Sequence, residues 1–110
     1  MDVFEVVAEP TRRTVLDLLA GRERSAGELV DAFPALTQPA VSRHLRILRE
    51  SQLVDVRSDG ARRLYSIRPG ALAELDRWLD GYRRFWSERL DDLEGHLDSK
   101  TGRGREGEAQ

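Results

Sequence analysis

Apolar residues recur in steps of three and four through most of this chain, with one short interval of alternation, so the pattern predicts helices around a single small hairpin. Val3, Phe4 and Val7 fall on one side of a short first helix. Pro10 suits the first turn of the next helix, where a missing N–H costs nothing. Val15, Leu16 and Leu19 give that helix an apolar face, and Gly21 is a C-terminal stop. Ser25 and Glu28 have the spacing of a capping box. Leu29, Val30 and Phe33 follow as the inward stripe of a third helix, which Pro34 ends. Thr37 is an N-cap for a fourth helix, and Leu36 before it can staple onto Val41. Val41, Leu45 and Leu48, at i, i+4 and i+7, form its narrow buried stripe.

Alternation takes over in Leu53 to Arg57 and in Arg62 to Ile67, joined by Ser58-Asp59-Gly60-Ala61, whose Asp-Gly pair is a hairpin signal. Pro69 and Gly70 separate this hairpin from a long last helix, Ala71 to Leu97. Its apolar positions are Leu72, Leu75, Leu79, Tyr82, Trp86, Leu90, Leu93 and Leu97, with Trp78 and Phe85 widening the face and Gly81 as a point of bending. Residues 99–110 hold three glycines and no large apolar side chain, so they are expected to be a disordered tail. The expected fold is mainly α with a small β-hairpin: four helices, a two-stranded wing and a long C-terminal helix. It forms one winged helix-turn-helix domain over residues 1–98.

A formal net charge of −2 hides a strong asymmetry. Residues 37–68 carry seven arginines against three acids, whereas residues 1–36 carry four against seven and residues 69–98 four against eight. A phosphate backbone responds to local potential, so the middle third is the place to look for contact with nucleic acid. On the fourth helix Gln38, Ser42, Arg46 and Arg49 lie off the buried stripe, Pro39 and Arg43 lie beyond them, and Glu50 is the only acid. Gln can pair bidentately with adenine, Arg with guanine, and Ser with either. Arg57, Arg62 and Arg63 bracket the hairpin tip and are placed to grip phosphates or the minor groove. His44 flanks the buried stripe, as a structural or a phosphate-contacting residue. The candidate DNA contacts are therefore Thr37, Gln38, Pro39, Ser42, Arg43, His44, Arg46, Arg57, Arg62 and Arg63.

Other chemistries lack their parts. The absence of cysteine removes disulfides, thiolate metal sites and thiol redox sensing. Ser42 and His44 are two apart on a helix and cannot face each other as nucleophile and base. Without paired carboxylates in a marked-off site or a phosphate loop, neither an enzyme nor a cofactor is expected. The first residues have no basic-then-apolar leader and no run has membrane-spanning length, so a cytoplasmic location is expected.

Trp78, Tyr82, Phe85 and Trp86 could line a small-molecule pocket, but aromatics at helical spacing more often belong to a core or an interface. A helix of about 27 residues is roughly 40 Å long and outreaches so small a domain. Val3, Phe4 and Val7 on the first helix, with Leu79, Tyr82, Trp86 and Leu93 on the last, are the expected homodimer contact. Leu79, Trp86 and Leu93 recur every seven residues, while Arg89 and His96, seven after Tyr82 and seven later again, argue against a regular coiled coil.

Three segments carry a family resemblance. Pro10-Thr11-Arg12-Arg13, the run from Gln38 to Leu48, and Leu53-Val54 with Gly60 and Tyr65 resemble the ArsR/SmtB family of bacterial repressors, over roughly residues 2–97. The resemblance implies a winged-helix homodimer that binds an imperfect palindrome in double-stranded DNA at a promoter and represses, often its own gene. It makes the fourth helix the recognition helix and places the first and last helices at the dimer interface. Well-known members sense metals through cysteines or His/Asp clusters. Here the only histidines are His44 and His96, with Asp91, Asp92 and Asp98 near the latter, so no metal site is expected and the chain is similar to the cysteine-free branch. No small-molecule inducer can be named from these residues. The competing reading is a winged-helix protein-interaction module without DNA binding, which the Arg-rich middle third disfavours.

Overall fold

The computed structural model describes residues 1–101, and side chains as far as residue 95. Residues 1–75 make one compact unit and the chain from Asp76 onward a second. The elements run α1 (Val3–Val7), α2 (Pro10–Gly21), β1 (Arg24–Ser25), α3 (Ala26–Asp31), α4 (Gln38–Glu50), β2 (Val54–Asp59), β3 (Arg62–Ile67) and α5 (Ala73–Thr101).

Each short helix of the first unit starts on a side chain that satisfies its free N–H groups. Asp2 and Glu5 exchange 2.9 Å bonds in a capping box at α1. Ser25 Oγ accepts from the Glu28 N–H at 3.1 Å, and Glu28 returns a 2.9 Å bond to the Ser25 N–H, as the spacing predicts. Hydrogen bonds from Arg22 and from the Ser25 backbone hold the Glu28 carboxyl down at about 2, outweighing the effect of desolvation. At α4, Thr37 Oγ1 accepts from the Ala40 N–H at 3.2 Å.

The core takes Val15, Leu16 and Leu19 from α2, Leu29 from α3, and Val41, Leu45 and Leu48 from α4, all as the periodicity predicts. Val6, Leu53, Val54 and Tyr65 complete it. In α1 the buried pair is Val3 and Val6, while Phe4 and Val7 pack half-buried against the core. Val3 keeps 9% of its surface and has little left for a second chain.

The sheet has three strands in the order β1-β3-β2, so the wing hairpin gains an edge the sequence pattern does not reveal. Two residues are too few to show alternation, and β1 exists because Arg24 pairs with Tyr65 and Ser25 with Leu64. The β2–β3 ladder runs from Val54↔Ile67 to Asp59↔Arg62, leaving only Gly60 and Ala61 in the loop. Gly60 has φ +65°, the positive-φ first loop position that type II′ hairpins use. β2 therefore begins one residue later than expected and continues to Asp59. α5 begins at Ala73 rather than Ala71, after a turn in which Gly70 adopts φ +77°. It is still helical at Ser99 to Thr101, where a tail was expected, and residues 102–110 of that expected tail lie outside the described residues.

One buried cation on α2 ties that helix to α1 and to α4. Arg12, 7% exposed, donates from Nε to the Val6 carbonyl at 2.9 Å and from Nη2 to the Glu5 carbonyl at 3.5 Å. These are C-terminal carbonyls of α1, a helix far too short to persist alone. Arg12→Met should destabilise the fold by about 1–3 kcal/mol, because the Val6 carbonyl loses its short bond and keeps only the long 3.5 Å one from the Glu9 N–H. Arg13 caps the exposed Val7 carbonyl at 2.7 Å, where water can substitute, so Arg13→Ala should stay within about 0.5 kcal/mol. Urea midpoints of the two variants, at unchanged slope, check the contrast.

Candidate nucleic-acid interface

With Val41, Leu45 and Leu48 turned into the core, the outer face of α4 is fixed by helix geometry. Gln38, Pro39, Ser42, Arg43, Arg46 and Arg49 are all exposed on it. Arg43 and Arg46 form no salt bridge among the described residues, so their guanidinium forks are available. Thr37 serves the backbone as N-cap, which sets the direction of the first turn that carries Gln38 and Pro39.

Two of the expected contacts already have partners within the chain. His44 retains only 16% of its side-chain surface and faces α2 rather than the outer face. Its Nδ1 lies 3.3 Å from Arg12 Nη1 and 3.9 Å from Glu9 Oε1. A guanidinium can only donate, so the shorter contact needs the ring with Nδ1 unprotonated. Against the opposing effect of desolvation, the backbone N–H groups of Arg12 and Thr11 hold the Glu9 carboxyl below its usual value. His44 thus ties α4 to α2 through Arg12. Arg57 is the second of them. Its Nε and Nη2 donate to the two carboxylate oxygens of Glu23 at 2.8 and 2.9 Å, a bidentate pair that occupies the fork. The hydrogen bond lowers the Glu23 pKa and raises that of Arg57.

Strand register divides the wing arginines between two faces. Side chains directly opposite in a ladder share a face, so Arg63 stands with Ser58 and Tyr65 with Val56, whereas Arg62 stands with Asp59 and Arg57 with Leu64. Arg62 and Arg63 are exposed and form no salt bridge among the described residues. Between α3, α4 and β3 is an open cavity of about 290 Å³, lined among others by Val30 and Asp31, Gln38 and Ser42, and Arg63 and Tyr65. Asp31 is the functional candidate the sequence reading missed, because nothing in a helix-end acid foretells which strand will arrive beside it.

The second unit is a helix rich in uncovered apolar residues. Leu79, Tyr82, Trp86 and Leu93 are exposed, as are Trp78, Phe85 and Leu90. Trp78 and Tyr82 meet at a tilt with 5.1 Å between centroids, Phe85 and Trp86 meet edge-on at 5.4 Å, and the Arg89 guanidinium lies 5.3 Å over the Phe85 ring. His96 and Asp98, weighed above as metal ligands, fall beyond the described side chains. Among the described residues no helix is long and apolar enough to cross a membrane.

Comparison with known proteins agrees with this geometry. A helix-turn-helix domain family matches residues 7–57, the span from the end of α1 into the wing. The chain is similar to the HTH-type transcriptional regulator Rv2034 of Mycobacterium tuberculosis, 37% identical over 97 residues, which cover 88% of this chain and 87% of that protein. It is also similar to the transcriptional repressor SdpR of Bacillus subtilis, 32% identical over 78 residues, 71% of this chain and 86% of that one. Among solved structures, the ArsR family transcriptional regulator RHA00566 superposes with a TM-score of 0.66 at 26% identity, covering 76% of this chain and 86% of that one.

Proposed function

The chain belongs to the ArsR/SmtB family of winged helix-turn-helix transcriptional regulators, and from that membership we propose that it is a repressor that binds a palindromic operator as a homodimer. Members of this family are DNA-binding proteins rather than enzymes. The observation that carries the proposal is the outer face of α4, where an amide, a hydroxyl and two uncommitted guanidinium groups stand within the first turns of a helix held rigidly from behind. Gln38, Ser42 and Arg43 then meet base edges in the major groove, and Arg46 meets the adjoining backbone. Repression is supported by the name of the Bacillus relative, and dimerisation by the exposed apolar stripe of α5.

Arg43→Ala should weaken binding to the preferred duplex by about 1–3 kcal/mol and relax base preference there. Affinities measured on preferred and scrambled duplexes check this. Equal losses on both would demote Arg43 to a phosphate contact, and no binding by the parent to either would favour a protein-interaction module. Arg62, on the wing face away from the cavity, acts through charge alone. Arg62→Ala should reduce the slope of log affinity against log salt by about 0.9, the value for one phosphate contact.

A further inference from the structure

We propose that Arg63 is a base-reading residue of the same recognition surface as Gln38, not a phosphate grip of the wing. The inference rests on the DNA-binding reading above and deepens it. Arg63, Gln38 and Ser42 border one open cavity, so a single base edge entering it lies within reach of the strand and the helix together. Ladder register puts Arg63 on the sheet face shared with Tyr65, and Arg62, one residue earlier in the chain, on the other.

The lining argues for bases over phosphate. A phosphate is an anion that only accepts hydrogen bonds, and Asp31 on the same cavity would repel it. A base pair's major-groove edge presents both donors and acceptors, which a guanidinium, a carboxylate, an amide and a hydroxyl can match between them. Arg63 forms no salt bridge with Asp31 or any other described residue, so its fork remains available for the N7 and O6 of a guanine. Arg57, in contrast, is already held bidentately by Glu23 on the opposite face. The wing thus sends Arg63 toward α4, while Arg57 on the other ladder face is committed to Glu23.

The test starts from a selection of duplexes from a randomised pool with the parent protein. Affinities for the selected duplex, its single-base variants and a scrambled duplex are then measured for the parent, Arg63→Ala, Arg63→Lys and Arg62→Ala over a range of salt. The expected result is that Arg63→Ala loses tenfold or more on the selected duplex, and little on the scrambled one, with the loss confined to one or two base positions. Arg63→Lys keeps the charge and the salt slope but not the fork, and should lose the same preference. Arg62→Ala should lose equally on both duplexes. A loss from Arg63→Ala that is equal on both, with a slope lower by about 0.9 and full rescue by Lys, would make Arg63 a phosphate contact and overturn the proposal. An unchanged affinity would overturn it too. A parent that selects no sequence would instead defeat the DNA-binding reading itself, and this inference with it.

Discussion

Leu48→Ala is expected to cost about 2–5 kcal/mol of folding stability, the largest loss from any single truncation on α4. Leu48 is fully buried, and its carbonyl accepts from the Leu53 N–H at 3.0 Å where the helix hands over to the wing. Removing its side chain leaves a cavity under the recognition helix and loosens the junction with β2. A domain of this size has about 5–15 kcal/mol in total, so the variant should be partly unfolded at modest denaturant. Arg46→Ala, two residues earlier and on the outer face, should leave the unfolding midpoint nearly unchanged and weaken DNA binding instead. Urea unfolding followed by circular dichroism, beside duplex affinity, reads both. If Leu48→Ala kept its midpoint while Arg46→Ala lost several kcal/mol, the division of α4 into a packed and a reading face would be wrong.

That division was legible because it needs only the 3.6-residue period: Val41, Leu45 and Leu48 declare one side and leave the other by subtraction. Capping was legible for a similar reason, since Ser25 with Glu28 and Thr37 before α4 satisfy N–H groups within three residues of themselves. What was not legible depends on distant partners. His44 flanks the stripe at an angle that could go under the helix or out into solvent, and Arg12, 32 residues away, draws it under. Arg57 looks like a free wing cation until Glu23, 34 residues earlier, is seen beside it. β1 escapes because a two-residue strand has no period and exists only through its partner. Val6 escapes because five residues of helix are too few to distinguish a Val3/Val6 stripe from a Val3/Phe4/Val7 one. The cavity with Arg63 and Asp31 needs the full register of β3 against α3 and α4, which local pattern does not contain.

Trp86→Ala should cost about 2–4 kcal/mol of association, a loss typical of a buried aromatic anchor and equivalent to a roughly 30- to 1000-fold weaker dimer. Two recognition helices reading a palindrome must be held about 34 Å apart, so DNA binding by this family of folds requires a rigid link between protomers. The link assigned to this chain is the α5 stripe of Leu79, Tyr82, Trp86 and Leu93, all exposed in the single chain. Trp86, 58% exposed, sits at the middle of the seven-residue recurrence from Leu79 to Leu93, and its edge contact with Phe85 limits its freedom before any partner arrives. A large ring with only two side-chain torsions loses little entropy on association and buries much area, which is why it outranks the leucines beside it. Sedimentation of the variant and parent at micromolar concentration, with circular dichroism to confirm folding, is the measurement. The expected result is a folded monomer whose affinity falls further for the selected operator than for a scrambled duplex, because only the former needs both half-sites engaged at once. A variant that remains fully dimeric would remove Trp86 from the interface, and a parent that sediments as a monomer would remove the dimer.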